Sequence, residues 1–362
     1  MRKGLLTLAV ATIVMSSLAG CGGSSGSATQ AASGNTQANT TANTEAAASS
    51  GSGQTVKIIC PYGVGGTADA IARKYALVAG KVHPDYNFVV ENMTGGDGFS
   101  AANYFTDLDP STKELLVYGY GVAYRHDLGK KYQTEVVDFD RADIYPIASI
   151  DDRTWIMYST PDVTLEDVLN KAKEGGIKMS GGNPLSDPHL ALGSLIAQEG
   201  GKVMVVPYDG GAAQKKGLTD GEVDVFVGTT QAALEDVEAG TMVPLLAFSD
   251  KAFTGFKGPD GDIEVPGVAG DVKASELDAS KDYSGSILPA GGFVATRAGA
   301  DQAWIDEVAQ ISKDVWADSE YSDWISEIML NRYEVYDKDA AAQLESACEK
   351  AIAAFDTLSA QQ

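Results

Sequence analysis

The stretch CPYGVGGTADAIAR, Cys60–Arg73, joins three local signals. The run that leads into it, VKIIC (56–60), is apolar and β-branched, as a strand requires. Gly63, Gly65 and Gly66 then form a loop, and a helix-like run opens at Thr67 and extends to about residue 80. A strand that ends in a glycine loop at a helix start presents backbone N–H groups to an anion. The same glycines can serve only to supply positive φ in a tight turn.

Working outward, the theme recurs. NFVVE leads into a glycine corner, ELLVYGY reads as a third strand, and IYPIASI and TWIMYST read as two more. Thr164 opens a helix with Asp167 as the partner of a capping box, and Gly175-Gly176 closes it. IKMSGG, VMVVPYDGG and VDVFVG each run from strand to loop and are followed by helical segments. Residues 250–283 are rich in Gly, Asp and Ser and read as a long excursion, and the C-terminal part is helical except for RYEVY (332–336), which reads as a strand. Alternating strands and helices predict α/β layers. Four strand-to-loop corners end in glycine or small polar residues: 63–67, 94–98, 180–186 and 208–212. Ligands of open α/β sheets bind beyond the carboxyl ends of strands, so four such corners predict a site.

The beginning of the chain reads as an export signal at 1–20: Arg2 and Lys3, then the short apolar run LLTLAVATIVM, then SSLAGC. Leu18-Ala19-Gly20-Cys21 resembles the bacterial lipobox, which implies a lipid on Cys21. Residues 21–54 hold no aromatic and no branched aliphatic residue beyond this cysteine and read as a disordered tether. A globular part from about residue 55 then works outside the cell membrane, held to it by the lipid alone. Its length suits two domains. The formal charge is −23, and two units more negative without Arg2 and Lys3, which excludes nucleic acid as a partner. No later run reaches membrane-spanning length. Cys60 and Cys348 remain, as a pair or as two free thiols, and no Cys/His cluster points to a metal.

Catalytic and cofactor readings are weak. Gly63, Gly65 and Ala68 fit G-x-G-x-x-A, with Glu91 where a ribose-binding acid belongs. Pro61 and Tyr62 separate the strand from the first glycine, however, and nicotinamide cofactors are intracellular. No Gly-Lys-Ser/Thr follows for a phosphate loop. Ser186 and His189 share one turn, but there is no G-x-S-x-G elbow, so Ser186 reads as a helix cap.

Taken in order, the segments resemble the substrate-binding proteins of tripartite tricarboxylate transporters, the Bug receptors. CPYGVGGTADAIAR is similar to VPFPPGGATDIVAR of that family, and VVENMTGGDGFSAA, IYPIASI, SGGNPLSDPHLALG, VPYDGGAAQKKGLTDGEVDVFVG and VEAGTMVPLLAFSDK follow in the family's order. The resemblance covers nearly all of 55–362 apart from the excursion. It implies the type II periplasmic-binding-protein fold: two α/β lobes, 55–155 plus 284–362 and 156–283, with a ligand cleft between them. It implies a monomeric receptor, not an enzyme and without cofactor or metal, that captures a small carboxylate for the membrane subunits of a permease. A ligand-sensing lipoprotein would bind in the same way, and an extracellular enzyme on the same fold is the further alternative. The implied contacts are the loop Gly65, Gly66, Thr67 and Ala68 with Tyr62 beside it, and Asp69 as the acid that orients the loop. From the second lobe they are Ser186 and His189, Tyr208, Gly210 and Gly211, and Thr229 or Thr230. The chain departs from the family in Gly63-Val64, in Asp97 and in the aromatic segment around Tyr120 and Tyr124; either these two tyrosines line the cleft, with Arg125 to pair with a second carboxylate, or Arg125, His126, Lys130 and Lys131 form a solvated basic rim.

Overall fold

The computed structural model describes residues 53–208 and 210–360; the expected signal peptide, the lipidated Cys21 and nearly all of the tether lie outside them. Gln54, expected to end the tether, begins β1 (Gln54–Cys60). Val56, Ile58, Ile59 and Cys60 are fully buried, as suits a strand covered on both faces. The glycine loop follows, then α1 (Thr67–Val82), β2 (Tyr86–Asn92), α2 (Phe99–Thr106), β3 (Glu114–Gly119), α3 (Tyr120–Tyr132) and β4 (Ile144–Arg153).

After Thr154 the chain enters a second sheet through β5 (Trp155–Ser159), α4 (Leu165–Glu174), β6 (Ile177–Gly181), α5 (Asp187–Gln198), β7 (Val203–Pro207), α6 (Gly211–Thr219), β8 (Val225–Thr229), α7 (Leu234–Glu238) and β9 (Val243–Ala247). A hairpin, β10 (Phe253–Gly258) and β11 (Gly261–Val265), precedes the return through β12 (Ala290–Arg297), α8 (Gln302–Ala317), α9 (Ser319–Glu327) and α10 (Asp337–Ser359). The strand orders are β2-β1-β3-β12-β4 and β7-β6-β8-β5-β9. Each sheet is parallel at one side, and each takes one strand antiparallel to both of its neighbours, β12 in the first and β5 in the second.

Two cores serve the first lobe. One lies under α1 and α8, with Tyr75, Trp316 and Tyr321 fully buried; Trp316 Nε1 donates to the Ser149 carbonyl at 2.9 Å. The other runs unbroken from Phe105 and Leu116 through α3 and α10 to Leu190 and Leu195 of α5. The C-terminal helix therefore packs against both lobes, and a Cβ on Gly193 would sit 3.1 Å from Leu358. Cys60 and Cys348 are both buried and free, and burial pushes both thiols up. No helix among the described residues is long and apolar enough to cross a membrane.

Three expectations are corrected. RYEVY is not a strand: residues 331–336 follow β4 with isolated bridges only, at Ala148–Tyr336 and Asp152–Asn331. Between them the Ser149 side chain takes the place of a ladder, donating to the Tyr333 carbonyl and accepting from the Val335 N–H. The excursion at 250–283 is not wholly irregular, since it holds the β10–β11 hairpin over Phe256 and Val265, both buried. The aromatic segment from Tyr120 is helix α3, buried on nearly every side, which is why it shows no amphipathic period.

The capping box at Thr164 is complete: Thr164 Oγ1 accepts from the Asp167 N–H, and Asp167 accepts from the Thr164 N–H. Thr164→Ala is expected to cost about 1 kcal/mol. In thermal unfolding this reads as a Tm lower by about 2–4 °C, with ligand binding unchanged.

Candidate functional site

A cavity of about 300 Å3 lies between the two sheets. A second of about 310 Å3 adjoins it and shares Tyr62, Thr67, Gly121, Arg153, Trp155 and Asp187. The first lobe contributes Tyr62, Thr67, Asp97, Gly121 and Arg125; the second contributes residues 180–183, Ser186, Asp187, Gly211 and Thr229. Four helices start at this wall: α1 at Thr67, α3 with Gly121 in its first turn, α5 at Asp187 and α6 at Gly211. First-turn N–H groups have no partner inside their own helix, and the helix dipole makes that end partly positive. All four ends favour an anion.

The loop before α1 is held by a buried acid. Asp69, 2% exposed, accepts from the Gly65 N–H at 2.9 Å, from Arg73 at 2.9 and 3.1 Å, and from Asn92 Nδ2 at 2.7 Å. Although burial opposes its charge, the bonds from Arg73, Gly65 and Asn92 hold the carboxyl below its ordinary value. Asn92 Nδ2 also donates to the Tyr62 carbonyl at 2.9 Å, so one network fixes the end of β1, the loop and the first turns of α1. Thr67 Oγ1 donates to Gln231 Oε1 at 2.7 Å, a direct bond between the lobes.

The neighbouring glycine corner packs as closely. Gly95, Gly96, Asp97 and Gly98 all have positive φ, and a Cβ on Gly98 would come within 2.7 Å of Val122. Arg125 secures this corner by donating to the Gly96 and Asp97 carbonyls at 3.0 and 3.1 Å. Its remaining nitrogens bind Glu135 at 2.6 and 3.2 Å, and its guanidinium lies 4.4 Å from the Phe99 ring centre.

On the opposite wall three buried polar atoms have no partner among the described residues: Ser180 Oγ, Ser186 Oγ and Trp155 Nε1. Buried polar groups are nearly always paired, so these three mark where a polar ligand or water would bond. Ser186 is the N-cap of α5 but makes no side-chain cap bond, which leaves its hydroxyl free for the cavity. Arg153 binds Asp151 through Nε and has no other side-chain partner among the described residues. Asp187, across from it, forms no ion pair, and a Cβ on Gly121 would lie 3.1 Å from its carboxylate. Burial pushes Asp187 up to about 7, and Asp152 up to about 6.

Of the residues expected at the site, Tyr62, Gly66, Thr67, Ala68, Ser186, Gly211 and Thr229 line the two cavities. Gly65 does not, because its N–H is committed to Asp69, and Asp69 lies beneath the loop. Tyr120 and Tyr124 are core residues: Tyr120 packs on Phe293, and Tyr124 donates to the Pro289 carbonyl at 2.7 Å. Arg125 reaches the wall, but its nitrogens are held by Glu135 and the glycine corner. His189 is turned to the Pro184 carbonyl, and burial lowers its pKa. Tyr208 binds Glu222 at 2.6 Å, Thr230 donates to the Met329 carbonyl at 2.7 Å, and Gly210 supplies the positive φ before α6. Sequence reasoning missed Arg153, Trp155 and Ser180. They sit at strand ends, and strand ends beside glycine corners were the available signal.

No family model matches the chain, and no curated protein matches it. Solved structures do. A protein of R. palustris in a structure with adipate is 18% identical, over 84% of this chain and 97% of that one, with a TM-score of 0.67. MatC from Rhodopseudomonas palustris with bound malate is 14% identical, over 84% and 99%, at 0.64. The periplasmic binding protein BugD is 15% identical, over 85% and 97%, at 0.64. The chain thus shares the fold of these structures, that of a periplasmic binding protein.

Asp187 gives a pH signature. In an unfolded chain its carboxyl ionises near pH 4, whereas in the folded protein it keeps its proton until about 7. Between those values the folded state binds more protons, so this group lowers stability as pH rises through the window. Asp187→Asn is expected to raise the Tm of the ligand-free protein by about 3 °C or more at pH 8, since about 1 kcal/mol shifts Tm by about 2–4 °C, and to leave it unchanged at pH 4. Thermal unfolding at the two pH values checks this, and an equal effect at both would contradict it.

Proposed function

We propose that this chain is an extracytoplasmic receptor of the tripartite tricarboxylate transporter class. It binds a small carboxylate between its lobes and delivers it to the membrane subunits of a permease, with no chemistry on the ligand. The observation that carries the reading is the cavity wall: four helix starts and three unpartnered buried polar atoms face one space of about 300 Å3. Such a wall stabilises an anion by charge-assisted bonds to fixed backbone donors. The fold shared with structures holding adipate and malate supports it, as does the ordered series of segments resembling the Bug receptors.

In this reading 55–155 and 284–362 form the first lobe and 156–283 the second. Thr67 and Ala68 offer first-turn amides, Gly211 offers those of α6, and Ser180, Ser186 and Trp155 supply side-chain donors. Asp69 positions the loop without touching the ligand. The lipid on Cys21 and the tether hold the monomeric receptor at the outer face of the membrane. The overall charge of −23 opposes an anion at long range. At physiological salt screening acts within about 8 Å, so the local amides govern affinity.

A thermal-shift panel on the chain lacking residues 1–51 tests this, with citrate, succinate, malate, adipate, nicotinate and NADH. A ligand at a hundred times its Kd stabilises by about 2.7 kcal/mol. The expected result is a shift with one class of carboxylate and none with NADH, and a several-fold loss of affinity in Ser180→Ala and Ser186→Ala. No shift with any acid, together with an empty native mass spectrum, would contradict the reading.

A further inference from the structure

The cavity carries an acid, Asp187, whose charge opposes a simple carboxylate. Asp187 lines both chambers, half-buried, at the first position of α5. Its carboxylate reaches across to the start of α3, where only a glycine, Gly121, leaves room for it. No cation among the described residues pairs with it. The charged groups around it are accounted for: Arg125 is bound by Glu135 and Asp97, Arg153 leans on Asp151, and the Tyr62 phenol is uncharged because burial raises its pKa. Asp97, the other acid on the wall, is 3.3 Å from Arg125, so Asp187 is the acid there without an ion-pair partner among the described residues, with Arg153 and Arg125 acting on it from farther off.

Opposite charges within one cavity sort ligands. An incoming carboxylate gains from the helix starts and from Arg153 but is repelled by Asp187. A ligand that brings an ammonium with its carboxylate meets both: the carboxylate at the amides and hydroxyls, the ammonium at Asp187. Ser180, fully buried with its hydroxyl unpartnered, is an independent sign that the wall is built for a polar ligand.

Resting on the receptor reading above, we propose that the ligand is a small zwitterionic amino acid whose ammonium is bound by Asp187. The specificity determinant is then Asp187, while the helix starts supply the binding of the acid.

Matched pairs that differ by one ammonium test this: succinate with L-aspartate, glutarate with L-glutamate, and butyrate with 4-aminobutyrate. Each is titrated calorimetrically into the chain lacking residues 1–51 at pH 7.5. In the parent protein the amino member of at least one pair is expected to bind tenfold or more tighter than its partner. Asp187→Asn is expected to abolish that preference, weakening the amino member tenfold or more and tightening the plain acid. Asp187→Ser serves as a second variant, and the parent's own discrimination stands even if neither variant folds. A plain acid that binds as tightly as its amino partner, or that binds with uptake of a proton, overturns the proposal and leaves the carboxylate receptor intact. A preference that survives both folded variants overturns the role of Asp187. If neither member of any pair binds, nor any acid of the wider panel, the receptor reading falls with it.

Discussion

Backbone N–H groups in the first turn of a helix have no partner within that helix. Here four such turns meet in the interior between two sheets, and most of what is distinctive in the chain follows from that constraint. Gly65, Gly95, Gly96, Gly98 and Gly210, all at positive φ, let the backbone turn sharply enough to bring helix starts to strand ends. The buried Asp69 network then fixes one of these starts, that of α1, at the cavity wall. Rigid donors cost little to organise at the moment of binding.

The two lobes are tied unequally. Near the cavity two described side-chain bonds of 2.7 Å join them, Thr67 to Gln231 and Thr230 to the Met329 carbonyl. Behind it, α10 and α5 share a continuous apolar core with α3. Opening around the cavity therefore disturbs few polar contacts, whereas separation of the lobes disrupts a packed interior. That asymmetry suits closure on a ligand as a small change of shape, driven by the difference in affinity between the two arrangements.

Much of this was legible in the sequence. Periodicity and glycine placement gave the alternating layers, the capping box at Thr164 and the strand-to-helix corner at Gly65–Thr67, because those features are local. The antiparallel strands β5 and β12 set the sheet order, but their pairing partners lie far away in the chain and leave no local mark. The aromatic segment around Tyr120 misled for a related reason: a helix buried on all sides has no polar face to betray it. At the site the backbone corners were found more readily than the side chains. Tyr208 and His189, expected from the resemblance, and Thr230, expected from its place after a strand, turn instead to Glu222, the Pro184 carbonyl and the Met329 carbonyl. Arg153, Trp155 and Ser180 gain their place only when β4, β5 and β6 end at the same gap.

The central claim is that helix starts, not a cluster of cationic side chains, hold the acid. Amide resonances of a 15N-labelled chain lacking residues 1–51, titrated with L-aspartate and with succinate, test it directly. The account predicts that the N–H signals of Thr67, Ala68, Gly121 and Gly211 shift together and saturate at one affinity. An acid that binds and stabilises the protein while those four amides stay fixed would contradict it.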